Sequence, residues 1–159
     1  MKTRITTDIK NTPEKIFSWL EDPTRAMEWM TSVSKIEIIK YVPGMAGTTF
    51  REFVEENGRG TEMHGVVTDF APNKRLVFHL EGDYNTVDVS YTLEENGKFT
   101  RLSQITEIRF KGQLRIFSIF FGPLFKRKII KQARNEFDVL KRFVSETDNG
   151  TCSRDLPWN

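Results

Sequence analysis

The spacing of hydrophobic and polar residues changes twice along this chain, and the changes divide it into elements. Lys2–Ile9 is predicted to form a first strand. Thr12-Pro13 then has the form of a helix start: a hydroxyl to cap the first amides, followed by a proline whose fixed φ suits the first helical position. Ile16, Phe17, Trp19 and Leu20 give the next helix a broad apolar face. Asp22-Pro23 repeats the start signal for a second short helix that reaches about Met30 and buries Met27, Trp29 or Met30. From Lys35 to Lys111 the period becomes that of strands. Turn signals at Pro43-Gly44, Asn57-Gly58, Pro72-Asn73, Gly82-Asp83 and Asn96-Gly97 cut this region into six strands, roughly 35–41, 47–56, 59–69, 75–81, 84–95 and 98–111.

Turn lengths set register, and register decides which side chains share a face. A two-residue turn at Asn96-Gly97 pairs Leu93 with Thr100, Tyr91 with Leu102, Val89 with Gln104 and Val87 with Thr106. One face then holds Val87, Val89, Tyr91, Leu93, Leu102, Ile108 and Phe110, with Gln104 and Thr106 among them. The other holds Asp88, Ser90, Thr92, Arg101, Ser103, Glu107 and Arg109, with Ile105 the exception to an apolar-in, polar-out alternation. A two-residue turn at Gly82-Asp83 extends the inner face to Leu76, Phe78 and Leu80. The turn at Asn57-Gly58 brings Phe50, Glu52, Val54, Met63, Gly65 and Val67 together. Three turns give compatible faces, as one continuous meander requires. Phe53 and Val66 fall on the opposite face, and a bulge in that hairpin would change the assignment.

The rest is helical. Gly122-Pro123 is expected to kink or restart the helix, because proline cannot donate the needed hydrogen bond. Beyond it Ile130, Ala133, Phe137, Leu140 and Val144 form one apolar stripe, with Lys126, Arg127, Lys128, Lys131, Arg134, Lys141 and Arg142 on the other faces. A helix from Leu124 to Glu146 would be ~35 Å long, close to the ~33 Å of a ten-residue strand. It can therefore lie along the sheet and cover the apolar face that neither element could bury alone.

Composition narrows the class. At 159 residues the chain suits one domain, taken as 1–147, followed by a polar tail, 148–159, that carries Pro157 and Trp158. With 38% hydrophobic and 29% charged residues it is too apolar for general disorder. Thirteen Phe and three Trp supply large side chains for a core or a pocket lining. A net charge of +2 gives no ground for a nucleic-acid partner. The single cysteine, Cys152, rules out an internal disulfide and points to a reducing compartment, so a cytoplasmic location is expected. The N-terminus lacks the apolar core of a signal peptide, and no run approaches the ~18 apolar residues that cross a bilayer. No metal and no cofactor is expected, since there is no HExxH, paired-His or Cys-rich spacing and no phosphate-binding glycine loop. No Gly-x-Ser-x-Gly supports a serine nucleophile. Oligomeric state is left open.

The order of strand, two short helices, six strands and long helix resembles the helix-grip fold, an α+β architecture whose curved seven-stranded antiparallel sheet wraps a long C-terminal helix. Thr12-Pro13-Glu14-Lys15-Ile16-Phe17-Ser18-Trp19-Leu20, then Asp22-Pro23 and Trp29, resembles the opening of the polyketide cyclase/dehydrase and lipid-transport (START-like, SRPBCC) superfamily. Gly47-Thr48-Thr49-Phe50-Arg51 is similar to its glycine-led second meander strand, and Val67-Thr68-Asp69-Phe70-Ala71-Pro72 with Leu76-Val77-Phe78 to its strand–Pro–strand segment. The match spans about residues 1–147. The resemblance implies a deep cavity between sheet and C-terminal helix for lipids, polyketides, hormones or other hydrophobic molecules. Some members are cyclases or dehydratases, and many only bind or carry; kinship of fold does not choose between them.

The pocket lining expected from these faces is Phe50, Met63, Phe78, Val89, Tyr91, Ile108, Ile130 and Phe137, with Glu52, Gln104 and Thr106 as polar anchors. The leading reading is a carrier or binding protein for a small hydrophobic or amphipathic ligand. The alternative is a cyclase- or dehydratase-like enzyme in which Glu52 or His64 moves protons. Glu52 alternates with Phe50 and Val54, where a desolvated carboxyl would have a raised pKa. The favoured reading seats it near an open rim or beside an arginine, because buried unpaired carboxylates are costly. Gln104, Thr106 and Tyr91 bond one another, water or ligand. His79 falls on the outer face, as does His64 unless its strand bulges. The stretch Leu114–Phe125 followed by Lys126-Arg127-Lys128 allows transient contact with an anionic membrane. The more economical reading makes it the buried start of the gripping helix, with its cations solvated.

Overall fold

A computed structural model describes residues 1–56 and 58–146; the expected tail 148–159, with Cys152 and Trp158, lies outside them. The order is β1 (Lys2–Ile9), α1 (Pro13–Glu21), α2 (Pro23–Trp29), β2 (Val33–Lys40), β3 (Thr49–Glu56), β4 (Arg59–Ala71), β5 (Arg75–Glu81), β6 (Asn85–Asn96), β7 (Phe99–Phe110) and α3 (Leu114–Glu146). Seven antiparallel strands form one sheet in the order β1-β7-β6-β5-β4-β3-β2, so β1 and β2 are the edges. This is the helix-grip fold.

Both short helices begin as their sequence predicts. The Lys15 N–H donates to Thr12 Oγ1 at 3.4 Å, and the Thr24 N–H to Asp22 Oδ1 at 2.8 Å. Pro13 and Pro23 stand at the helix starts. The Trp29 indole N–H reaches back to the Trp19 carbonyl at 2.9 Å and locks the helices together.

The hairpins keep the predicted faces, but two of them do so in a shifted register. Glu56 pairs with Arg59, as the Asn57-Gly58 turn requires. At the β6–β7 turn, Asn96 pairs with Phe99, so Tyr91 lies opposite Gln104 and Val89 opposite Thr106 rather than two positions away. At the β5–β6 turn, Glu81 pairs with Thr86, not with Tyr84. Each shift is two residues. The side-chain period is also two, so no residue changes face. A bulge does occur in β4, between Val67 and Asp69. It sends Val67 and Phe70 to the same inner side, where the Phe70 ring lies 5.5 Å from Phe17.

The C-terminal helix is longer than expected. It runs unbroken from Leu114 to Glu146 with Pro123 inside it. Proline forfeits one amide donor, and the hydrogen-bond ladder carries the helix past it. The two halves behave differently. Ala133, Phe137, Leu140 and Val144 are buried and Ile130 is half-buried. Among the described residues of the first half, none is buried: Leu114, Ile116, Leu124 and Phe125 are 41, 62, 70 and 43% exposed. At the start of α3 these described side chains are exposed, while the side chains of residues 117–121 lie outside the description. Among the described residues, no helix is long and apolar enough to cross a membrane.

The contrast within α3 gives a test. Phe137→Ala is expected to cost ~3–5 kcal/mol of unfolding free energy, and Leu124→Ala no more than ~0.5 kcal/mol. Urea denaturation of the two variants measures both.

Candidate functional site

Helices α1 and α2 cover the β2–β5 half of the sheet's inner face, and a cavity remains between them. Leu20, Glu21, Pro23, Ala26, Trp29 and Met30 line it from the helix side. Ile36 and Ile38 of β2, Phe50 and Glu52 of β3, Val67 of β4, Leu76 and Phe78 of β5 and Tyr91 of β6 line it from the sheet. Met45 and Thr48 close it from the β2–β3 loop. The space open to the centres of water-sized spheres is about 70 Å³. That is room for about five waters at ~10–15 Å³ each. It is well below the ~300–1,000 Å³ of pockets for drug-sized ligands.

The space is small because aromatic rings fill the region under α3. Phe137 packs on Trp29 at 6.4 Å between ring centres, Trp29 on Tyr91 at 6.3 Å, Tyr91 on Phe78 at 6.2 Å and Phe78 on Phe50 at 5.8 Å. This cavity thus lies on the α1–α2 side of this chain of rings. The Phe50 ring rests directly on the backbone of Gly65, 2.3 Å from where a β-carbon would stand. Only glycine permits that contact at this position.

The β2–β3 loop is held firmly. Thr48, fully buried, accepts the Val42 N–H at 2.9 Å, and the Gly47 N–H reaches the Val67 carbonyl at 2.7 Å. Met45, which faces the cavity, adopts a left-handed conformation with φ 68°.

Glu52 is the chemical centre of the cavity. It is 6% exposed and has no hydrogen-bond or ion-pair partner among the described residues. Burial first, and the nearby carboxylate of Glu136 second, push its pKa up to about 7. The favoured rim or arginine-paired placement is thereby corrected. Strand parity turns Glu52 inward, while its neighbour Arg51 turns outward to Glu37 at 2.7 Å. Glu136 is also buried, but it is satisfied. Its Oε1 accepts from the Thr31 N–H and hydroxyl, both at 3.0 Å, and from Gln132 Nε2 at 3.2 Å. Burial, then Glu136, then Glu52 raise the Tyr91 phenol above its ordinary pKa, so it remains a hydrogen-bond donor. Burial first and Asp22 second raise Glu21, with Arg25 opposing them.

Of the residues singled out from sequence, Phe50, Glu52, Phe78 and Tyr91 meet at this cavity. Met63, Val89 and Phe137 are buried in the core beside it. Gln104 donates to the Thr106 hydroxyl at 3.2 Å, so these two serve each other outside the cavity. Ile108 is half-buried at the N-terminus, whose Met1 ammonium donates to its carbonyl at 2.6 Å. Ile130 borders an open surface groove with Lys2, Arg4 and Lys126. His64 lies on the outer face, its side chain 70% exposed and 3.4 Å from Glu62. His79, also on the outer face, sits 2.6 Å from Asp88. Sequence reasoning missed Glu136, Ile36, Ile38, Met45 and Thr48. Glu136 did carry a signal, since it falls four residues before Leu140 on the apolar stripe. Among the described residues no group of acidic, His or Cys side chains is arranged to hold a metal.

A sequence profile described as polyketide cyclase / dehydrase and lipid transport matches residues 1–144. The chain belongs to this family. No curated protein matches it by sequence. Among solved structures, the chain is similar to TTHA0849 from Thermus thermophilus, with 16% identity, TM-score 0.77, and 92% of this chain and 99% of the other covered. It is similar to a START superfamily protein from Mycobacterium smegmatis, with 18% identity, TM-score 0.76, and 91% and 97% covered. It is also similar to the Zhui aromatase/cyclase from Streptomyces sp. R1128, with 9% identity, TM-score 0.77, and 93% and 95% covered. At these identities the likeness is one of fold.

The buried carboxyl has a thermodynamic signature. Between its ordinary pKa of 4.5 and about 7, folded Glu52 holds a proton that the unfolded chain has released. Folding therefore weakens as pH rises through that window and levels off above it, by about 3 kcal/mol at ~1.4 kcal/mol per pH unit. Glu52→Gln is expected to remove this loss, so the variant gains on the parent protein from about pH 5 to pH 8. Denaturant melts at the two ends of the window measure it. Identical pH profiles for parent and variant would contradict the burial of an ionisable Glu52.

Proposed function

We propose that the protein binds a small, largely apolar molecule in this cavity and holds the molecule's polar group with Glu52 and the Tyr91 hydroxyl. The observation that carries this is the unpartnered Glu52 carboxyl, buried in a mostly apolar lining. Buried polar groups in native proteins are nearly always bonded, and a guest supplies the missing partner. A family that includes lipid transport supports the same reading. Burial of ~200 Å² of guest surface at ~25 cal/mol per Å² is worth ~5 kcal/mol before ordering costs, an affinity near the millimolar range. Tighter binding requires the polar contact.

A catalytic reading has one specific observation in its favour. A carboxyl with a pKa of about 7 is poised as a general acid–base near neutral pH. Glu52 would take that role alone, because His64 lies outside the cavity. The limited space favours a small guest over a folded polyketide chain.

Native mass spectrometry of the purified protein, with extraction of co-purified small molecules, tests the proposal. One homogeneous apolar adduct is expected, and Ile38→Trp, which fills the cavity from the edge strand, should lose it. An adduct retained in Ile38→Trp would move the binding site elsewhere. Turnover of the extracted molecule by the parent and not by Glu52→Gln would favour the enzyme.

A further inference from the structure

We infer that the cavity discriminates by charge, accepting a small apolar amine best, a neutral alcohol next, and excluding carboxylates and phosphates. The inference rests on the binding role proposed above and adds the chemical class of the guest. The lining includes two carboxyl side chains, Glu21 and Glu52, and no Lys, Arg or His. The titratable groups that interact electrostatically with Glu52 are the Tyr91 phenol from β6 and the Glu136 carboxylate from α3. Its cross-strand neighbours are Ile36 on β2 and Met63 on β4, which carry no charge. Glu21 faces the same space from α1.

The nearby cations are already engaged. Arg25 donates to Ser18 Oγ at 2.8 Å and lies over the Trp19 ring, and Arg51 turns to Glu37 and Glu62 on the outer face. An anionic head entering this space would meet like charge with nothing to neutralise it. An ammonium head would form the ion pair that Glu52 lacks, in surroundings of low dielectric where such a pair is little screened. Binding an ammonium requires Glu52 to be ionised, so affinity for the amine should fall as the solution is acidified below about pH 7.

Three probes with one carbon skeleton separate head-group charge from apolar burial: n-hexylamine, 1-hexanol and hexanoate, titrated by calorimetry at about pH 8 and about pH 5.5. At the higher pH hexylamine is expected to bind at least ~10-fold more tightly than hexanoate, with hexanol between them. Acidification should narrow the gap. Glu52→Gln should bring amine and acid to within about threefold of each other. Hexanoate binding as well as the amine, or an unchanged preference in Glu52→Gln, overturns the charge assignment and leaves the cavity-binding role standing. Failure of all three probes to bind overturns both.

An independent observation identifies a partner surface. The geometry points to an anionic bilayer as the partner of the first half of α3. Leu114, Ile116, Leu124 and Phe125 are exposed there. From Lys111 to Asn135 the chain has the cations Lys111, Arg115, Lys126, Arg127, Lys128, Lys131 and Arg134 and no acidic residue. Lys111 also ties this end to β5 by a 2.9 Å ion pair with Glu81. Exposed apolar side chains interspersed with cations of one sign match an interface of acyl chains and anionic head groups.

Co-sedimentation with phosphatidylcholine vesicles, with and without about one-third phosphatidylserine, tests this. Binding is expected to be at least ~5-fold stronger with phosphatidylserine and to weaken in ~0.5 M salt. Leu124→Glu with Phe125→Glu should abolish it while retaining hexanol binding, which shows that the fold persists. Equal binding to both vesicles, no binding to either, or full binding by the double variant overturns the proposal.

Discussion

A sheet with one apolar face has to be covered, and here no single element covers it. The second half of α3 spans the part near β1 and β7, where Leu102 and Leu140 are fully buried. The α1–α2 pair spans the part near β2–β5. The two covers meet at Trp29, whose ring touches both Phe137 and Tyr91. Thr31, just after α2, binds Glu136 of α3 and fastens the seam. Close packing succeeds under the second half of α3, where Phe137, Leu140 and Val144 are buried, and the smaller pair leaves the cavity.

What the cavity contains matters more than its size. An apolar lining of this volume could be dry and inert. One unpaired carboxyl changes it, because the folded state is then less stable near neutral pH than it would be with an apolar or amide side chain there. Such a cost in the empty protein is relieved by whatever supplies a partner. Glu136, a few residues away in space, shows the other outcome: the same chemical group buried with three close donors and therefore structural.

The fold was legible in sequence because its signals were redundant. Caps, turns and alternation each located the same elements, and the period of two protected the faces even where turn lengths were misjudged at Gly82 and Gly97. The inward turn of Glu52 followed from the same parity. Its lack of a partner did not, because that depends on where Arg51 and Arg25 find theirs. The position of the cavity was illegible for a related reason: empty volume is the remainder of three-dimensional packing, and ring contacts between Phe137, Trp29 and Tyr91 join segments far apart in the chain. Helix periodicity beyond Pro123 named the buried stripe correctly, but it could not say that Leu114, Ile116, Leu124 and Phe125 would stay exposed.

The bare backbone at Gly65 has a consequence for how such a protein diversifies. Phe50 forms one wall of the cavity and leans on a position that offers no side chain at all. One methyl group there would force the ring to move and reshape the chamber without changing its charge. The size of the chamber and the charge in its wall thus rest on different positions of neighbouring strands, and either can change without the other.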